Sequence, residues 1–380
     1  MNSVRVLLIG VGGYGENYLK EMLEEDIPDA ELVAIADPFA SKSQYIDAVK
    51  SKGIPVFSSP ADFYLKGGKA DLAVISSPIH THYDYTVMAL ENDSSVLVEK
   101  PVVINTCKMR ELMEKEEKSG HFVAVGYQLC YSRHVQELKR DILSGMFGDP
   151  IRARSLRLMR RGDKYYARNG WAGKLSCHGD YVFDSPLSNA CAHQVENMLY
   201  LLGPSFSEAC DVTSVDGILY KGRPDIQNFD AAAIRMLTDT GIPLYYYTAH
   251  PVDAAKIGPM STFEFSDAVI EESQGVFIAE FDDGRRKEYR PHAEEKRMQK
   301  LYDAIACVKS GERPACTLQA SIGHISVVLK TEQLPVYLRY DAVRKSVDDD
   351  GYYSIPGLED EFTSSYEKWK LPDRRSGKEY

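Results

Sequence analysis

Six short apolar runs, VRVLLI (4–9), LVAIA (32–36), PVF (55–57), DLAVIS (71–76), SVLVE (95–99) and FVAV (122–125), alternate with stretches of helical periodicity. Strands that read as near-continuous hydrophobics separated by helices belong to a parallel sheet covered on both faces. The spacing predicts a doubly wound α/β domain over residues 1–125. After Gly126 the pattern changes. A helical stretch from Arg133 stops at Gly145, and Gly148-Asp149-Pro150 leads into IRARSLRLMR, whose alternation suits a strand with one wet face. Strand candidates at 231–237, 244–249 and 276–281, with helices near 189–202, 295–310 and 318–333, predict an α+β domain over 126–345 built on a large mixed or antiparallel sheet. Residues 346–380 show no clear period and are expected to pack on the surface as a tail.

Gly10-Val11-Gly12-Gly13-Tyr14-Gly15 follows the first run and opens a helical pattern. In that context G-x-G-x-x-G is informative: Gly10 allows a tight turn, Gly12 lets the backbone approach a pyrophosphate, and Gly15 lets the helix sit close to the strand. The helix N-terminus adds unpaired N–H groups and a positive dipole end. A tight turn without a ligand is the alternative. Asp37 ends the second run, where a carboxylate accepts from ribose hydroxyls and repels a 2′-phosphate. NAD is favoured over NADP, although Ser41 and Lys42 stand near enough to accommodate that phosphate; Asp37 also suits a helix cap. Ser76, Ser77 and Pro78 end the fourth run, where ligands bind in open α/β sheets, and Pro78 and His82 are expected to border the nicotinamide.

The composition narrows the rest. Of 380 residues, 44% are hydrophobic and 27% charged, and the net charge of −11 disfavours a nucleic-acid groove. Seven cysteines without a C-x-x-C pair suggest neither a disulfide framework nor a zinc ribbon, and fit a reducing compartment. A zinc site at Cys177-His178 or Cys191-x-His193 is the weaker reading, so no metal is expected. Neither a secretory leader nor an apolar run of about 20 residues stands out, so a cytoplasmic protein off the membrane is expected.

G-x-G-x-x-G, then S-S-P-x-x-x-H with M-A-L, then V-L-V-E-K-P, then G-Y-Q and G-x-x-G-D-P together resemble the Gfo/Idh/MocA oxidoreductases, in that family's order from residue 4 to about 202, with a weaker match at 302–330. The resemblance implies a Rossmann domain followed by an open-faced sheet domain, NAD(P) chemistry on sugars, polyols or related carbonyls, and a homodimer or homotetramer. It makes Glu99-Lys100-Pro101 the chemical landmark. A Lys100 ammonium near the reacting oxygen stabilises a developing alkoxide, with Glu99 to orient it.

The segment DSPLSNACAHQVENMLYLLG resembles the family's substrate helix, D-x-G-x-H-x-x-D, but reads Asn189-Ala190-Cys191-Ala192-His193-Gln194-Val195-Glu196. Residues 189, 193 and 196 or 197 are expected on one helical face. His193 maps to the family's acid/base histidine, and Asn189 replaces the carboxylate that holds it. Asn189 fixes a tautomer without stabilising imidazolium by charge, which leaves more of the proton transfer to Lys100 or a compensating charge to Glu196. Arg168 and Trp171, in the charged aromatic stretch 160–171, together with Tyr127 and His250, are candidate contacts for a carbohydrate or polyol, and the density of Arg and Lys there points to an anionic one. Two further readings stay open: a glycoside-cleaving enzyme that oxidises its substrate transiently with tightly bound NAD, and a ligand-sensing regulator that has lost the chemistry.

Overall fold

The computed structural model describes residues 3–25, 27–373 and 378–379. They form two compact units, one of residues 1–132 with 294–321 and the other of 133–293 with 322–380.

The first unit carries six parallel strands, β1 (Val4–Ile9), β2 (Ala30–Ala36), β3 (Val56–Phe57), β4 (Leu72–Ile75), β5 (Ser95–Val98) and β6 (Val123–Val125), in the order β3-β2-β1-β4-β5-β6. All six runs expected as strands are strands, trimmed or extended by a residue or two. Helices α1 (Gly15–Glu24), α2 (Ile46–Ser51), α3 (Pro60–Leu65), α4 (His82–Glu91) and α5 (Thr106–Ser119) make the crossovers. Start signals are local: Ser59 accepts from the Asp62 N–H at the head of α3, and Asn105 from the Lys108 N–H at the head of α5. The strand order reverses between β1 and β4, and the ligand crevice of such a sheet lies beyond the carboxyl ends there.

The core of this unit joins Val4, Val6 and Leu8 to Ile35, Leu72, Val74 and Leu97, and takes in Leu301, Ala304 and Ile305 of α9 (Gln299–Ser310). Each such Val, Leu or Ile side chain contributes roughly 1.5–3 kcal/mol when fully buried. The apolar stripe of α9 explains why residues 294–321 belong to the first unit, where one unbroken second domain over 126–345 was expected.

The second unit is built on ten strands: β7 (Pro150–Met159), β10 (Val212–Lys221), β11 (Ala231–Thr238), β12 (Pro243–Ala249), β13 (Lys256–Phe265), β14 (Ala268–Ser273), β15 (Val276–Phe281), β16 (Arg286–Tyr289), β17 (Val336–Leu338) and β20 (Lys378–Glu379). The short pairs β8 (Ser176–Cys177) with β9 (Asp180–Tyr181) and β18 (Val343–Val347) with β19 (Asp350–Ser354) stand apart from it. The large sheet is mixed: β12–β7 and β10–β17 run parallel, the other pairs antiparallel. The remaining α-helices among the described residues are α6 (Arg133–Leu143), α7 (Asp163–Tyr166), α8 (Ala192–Leu201) and α11 (Leu358–Glu367), with α10 (Leu318–Thr331) starting at the end of the first unit's range.

Residues 346–373, expected as a surface tail, do more than wrap the surface. Leu358, Phe362 and Tyr366 recur every fourth residue on one face of α11 and pack with Leu156, Leu158, Tyr220 and Tyr247 of the sheet.

Candidate functional site

The register of the first sheet sets its chemical edge. Ile9 pairs with Ile75, Ile75 with Val98, and Val98 with Val125, so Gly10, Ser76, Glu99 and Gly126 leave four adjacent strands side by side. A Cβ on Gly10, whose φ is +83°, would stand 2.6 Å from the Ser77 nitrogen, and one on Gly15 would stand 2.2 Å from the Gly10 carbonyl oxygen. Both glycines are required by the chain's own packing. Gly13, with φ +56°, is required by its backbone conformation. Gly12 is different: its φ is ordinary for any residue, and a Cβ there would meet nothing within 4 Å. Nothing in the chain therefore requires glycine at position 12, whereas close approach of a pyrophosphate would. No side chain caps α1 at Tyr14, and in its first turn the N–H groups of Gly15 and Asn17 donate to the Gly12 and Tyr14 carbonyls at 3.0 Å each.

Asp37 is half-buried. Its Oδ2 accepts from the Val11 N–H at 2.8 Å and its Oδ1 from the Phe39 N–H at 2.7 Å. The carboxylate thus braces the glycine turn and opens the short helical turn Ala40–Lys42, while each oxygen keeps a second lone pair for a ribose hydroxyl. The Ser77 hydroxyl bonds to that of Thr81 at 2.6 Å, and Pro78 is exposed. His82, expected to border the nicotinamide, is 1% exposed; its Nδ1 lies 2.8 Å from the Pro101 carbonyl and its Nε2 2.8 Å from the Ser77 carbonyl. Burial holds its pKa below the usual value. The ring ties the ends of β4 and β5 together.

Lys100 follows β5, half-buried, and its bond to Pro101 is cis. Glu99, read as the residue that orients Lys100, has another engagement. Its Oε1 accepts from the Tyr18 hydroxyl at 2.6 Å and pairs with the ammonium of Lys300. Lys300 is 2% exposed on α9, also donates to the Gly126 carbonyl at 3.2 Å, and lies 4.6 Å from the centre of the Tyr14 ring. Sequence reasoning missed this lysine. The available signal was its place beside Leu301, Ala304 and Ile305, at the head of a buried stripe. Tyr127, just past β6, is 1% exposed.

In the second unit Asn189 and His193 do not share one regular helix. Pro186 and a capping box between Ser185 and Ser188 start a separate π turn, Pro186–Ala190, and α8 begins only at Ala192. The Tyr246 hydroxyl donates to the Cys191 carbonyl at 2.6 Å, and the His324 Nε2 lies 3.0 Å from the Leu187 carbonyl, fixing the break. His193 is half-buried; Glu196, one turn on, is fully buried. Asn189 donates its Nδ2 to Asp184 Oδ1 at 2.9 Å, and Asp184 Oδ2 accepts from the Gly173 N–H at 2.6 Å. Arg168 Nη2 stands 3.8 Å from the same carboxylate, with its guanidinium 3.7 Å from the Tyr165 ring centre and 5.0 Å from that of Trp171. Arg168 and Asn189 thus meet at Asp184, a residue the sequence reading did not single out, and Trp171 lies against Arg168. His250 belongs to the same unit, 5.4 Å ring to ring from Tyr165. The seven cysteines are free thiols, and no helix among the described residues is long and apolar enough to cross a membrane.

A sheet in the order 3-2-1-4-5-6 with this glycine turn defines a dinucleotide-binding domain of the Rossmann class. Residues 4–127 match the GFO_IDH_MocA family model, described as an oxidoreductase family with an NAD-binding Rossmann fold. The chain is 27% identical over 150 residues to the scyllo-inositol 2-dehydrogenase (NAD(+)) of Bacillus subtilis, covering 40% of this chain and 43% of that one. It is 30% identical over 206 residues to the inositol 2-dehydrogenase of Rubrobacter xylanophilus, covering 54% of each. The matches thus span about half the length of these relatives. The fold is shared much further. The crystal structure of an oxidoreductase from Agrobacterium radiobacter in complex with NAD+, L-tartaric acid and magnesium superposes with a TM-score of 0.69 over 86% of this chain and 95% of that one, at 16% identity.

Proposed function

We propose that the protein is an NAD-dependent dehydrogenase acting on a CH–OH carbon of a sugar, sugar acid or polyol. The observation that carries this reading is the placement of Lys100 at the carboxyl end of β5, on the same sheet edge as a glycine turn whose Gly12 no contact within the chain requires. Gly10 to Gly15 and the N-terminus of α1 would hold the pyrophosphate of NAD, Asp37 the ribose, and Ser76 to Pro78 the nicotinamide side. When bound, NAD+ supplies the acceptor for the hydride that leaves the substrate carbon.

Lys100 Nζ holds the substrate hydroxyl oxygen and stabilises the negative charge that develops there. His193 takes the hydroxyl proton on its imidazole, and the π turn that carries Asn189 fixes where α8 presents it. Arg168, Trp171, Tyr127 and His250 orient the substrate, and Lys300 keeps Glu99 in place next to Lys100. The names of the relatives support a polyol or sugar substrate. A homodimer or homotetramer formed through the large sheet belongs to the same reading, and light scattering after size exclusion checks it.

The test is Lys100→Met. NAD binding, followed by quenching of Tyr and Trp fluorescence, is expected to persist, while NADH formation from a panel of inositols, hexoses and uronates falls about 10²- to 10⁴-fold. Unaltered turnover overturns the assignment.

A further inference from the structure

His250, just past β12, is 3% exposed, and its Nδ1 lies 2.8 Å from the Tyr166 hydroxyl. Burial holds the Tyr166 phenol well above its usual pKa, so it keeps its proton, and we assign it as the donor to Nδ1. Burial lowers the pKa of His250 well below the usual value, and the guanidinia of Arg161 and Arg168 push it the same way. The neutral ring therefore carries its own proton on Nε2. Nε2 is buried and has no hydrogen-bond partner among the described residues; the same holds for Nε of Arg161. Buried donors left unpaired are costly, so two in one neighbourhood mark a place built to meet an acceptor.

The surrounding geometry says what kind of acceptor. The Arg161 and Arg168 guanidinia lie 4.7 and 3.7 Å from the centre of the Tyr165 ring, and that ring stands edge-on to His250. Each planar cation is restrained by its contact with the Tyr165 ring, and guanidinia bind two-oxygen anions in a fork. Among the described residues, Asp184, 3.8 Å from Arg168, is the one carboxylate in ion-pair range of either arginine, so two cations against one anion leave one positive charge to be met. A carboxylate carries one negative charge, whereas a phosphate monoester carries about 1.5 to 2 at neutral pH.

We propose that Arg161, Arg168 and the Nε2–H of His250 form a carboxylate-binding subsite, and that the substrate is a sugar acid rather than a neutral sugar or polyol. This deepens the dehydrogenase reading and, for the word substrate, rests on it. The two arginines hold the carboxylate oxygens, His250 adds a neutral donor that discriminates by position, and Trp171 lies against Arg168 as an apolar wall for the ring.

The test uses the full chain with saturating NAD+ and matched pairs that differ only in the acid group, glucose with glucuronate and galactose with galacturonate, plus glucose 6-phosphate. For at least one pair kcat/KM is expected to be tenfold or more higher for the acid. Arg161→Gln is expected to lower that acid-to-neutral ratio at least tenfold, with Arg161→Lys recovering part of it. Equal use of acid and neutral sugar, a ratio unmoved by Arg161→Gln, or preference for the phosphate overturns the subsite. If no compound yields NADH, the dehydrogenase reading fails separately, and the subsite is then decided by thermal shift. Stabilisation of the wild type by an acid, lost in Arg161→Gln, supports it; no stabilisation by any acid overturns it.

Discussion

Lys300 places its ammonium on the carboxylate of Glu99, 201 positions earlier in the chain; the lysine side chain is buried at 1% exposure and the glutamate largely so at 13%. Breaking a buried pair by removing one partner leaves an uncompensated charge, at a cost of about 3–5 kcal/mol. Lys300→Met is therefore expected to destabilise the protein by that amount in urea unfolding. The double variant Lys300→Met, Glu99→Leu should recover much of the loss, because a buried pair replaced by apolar groups is often neutral. A cost under about 1 kcal/mol for Lys300→Met would mean that the pair is hydrated.

Gly12 and Gly15 look alike in the motif and should behave oppositely. Gly15→Val drives a side chain into the Gly10 carbonyl and should abolish soluble folded protein. Gly12→Val meets no atom of the chain, so its melting temperature should stay close to wild type while NAD affinity falls at least about tenfold, or 1.4 kcal/mol, in a fluorescence titration. Intact NAD binding in Gly12→Val would remove the pyrophosphate from this turn.

The contrast shows which parts of the molecule could be read without coordinates. The β strands of the first sheet were legible because buried parallel strands are unbroken apolar runs. β13 was not, because Gly258-Pro259 reads as a turn; in the sheet it falls where the pairing with β7 slips between Ile257 and Met260. Lys100 was legible as part of a contiguous motif. Lys300 and Asp184 were not, because a lysine in a helix and an aspartate before Ser-Pro are ordinarily solvated, and only tertiary packing buries them.

Asp230 is 1% exposed and accepts from the N–H groups of Gly222 and Arg223, yet burial dominates and pushes its carboxyl up to about 6. An unfolded aspartate titrates near 3.9. Between those values the native state binds the extra proton, so this group's contribution to stability is fully present below about pH 4 and is lost as pH rises to about 6. The change is on the order of 2–3 kcal/mol. Asp230→Asn removes it, and the wild-type-minus-variant difference in unfolding free energy, measured from pH 4 to 7, should show that slope.

Asn189 against Asp184 gives the sharpest test of why this chain departs from D-x-G-x-H. The amide donates to Asp184 Oδ1 at 2.9 Å, so Asn189→Asp, which restores the family's residue, would set two carboxylates in contact. Two such groups cannot both ionise cheaply, and one holds a proton with a raised pKa. That shared proton supports the fold at acid pH and its stabilisation is lost as pH rises through the raised value, so Asn189→Asp should match wild type near pH 4 and fall about 1–3 kcal/mol below it at pH 7. Asp184→Asn combined with Asn189→Asp returns an amide and a carboxylate to the pair and should restore most of that loss. Thermal melts of the three variants across pH decide it: equal stability of Asn189→Asp and wild type at pH 7 would show that Asp184 does not constrain the choice of residue at position 189.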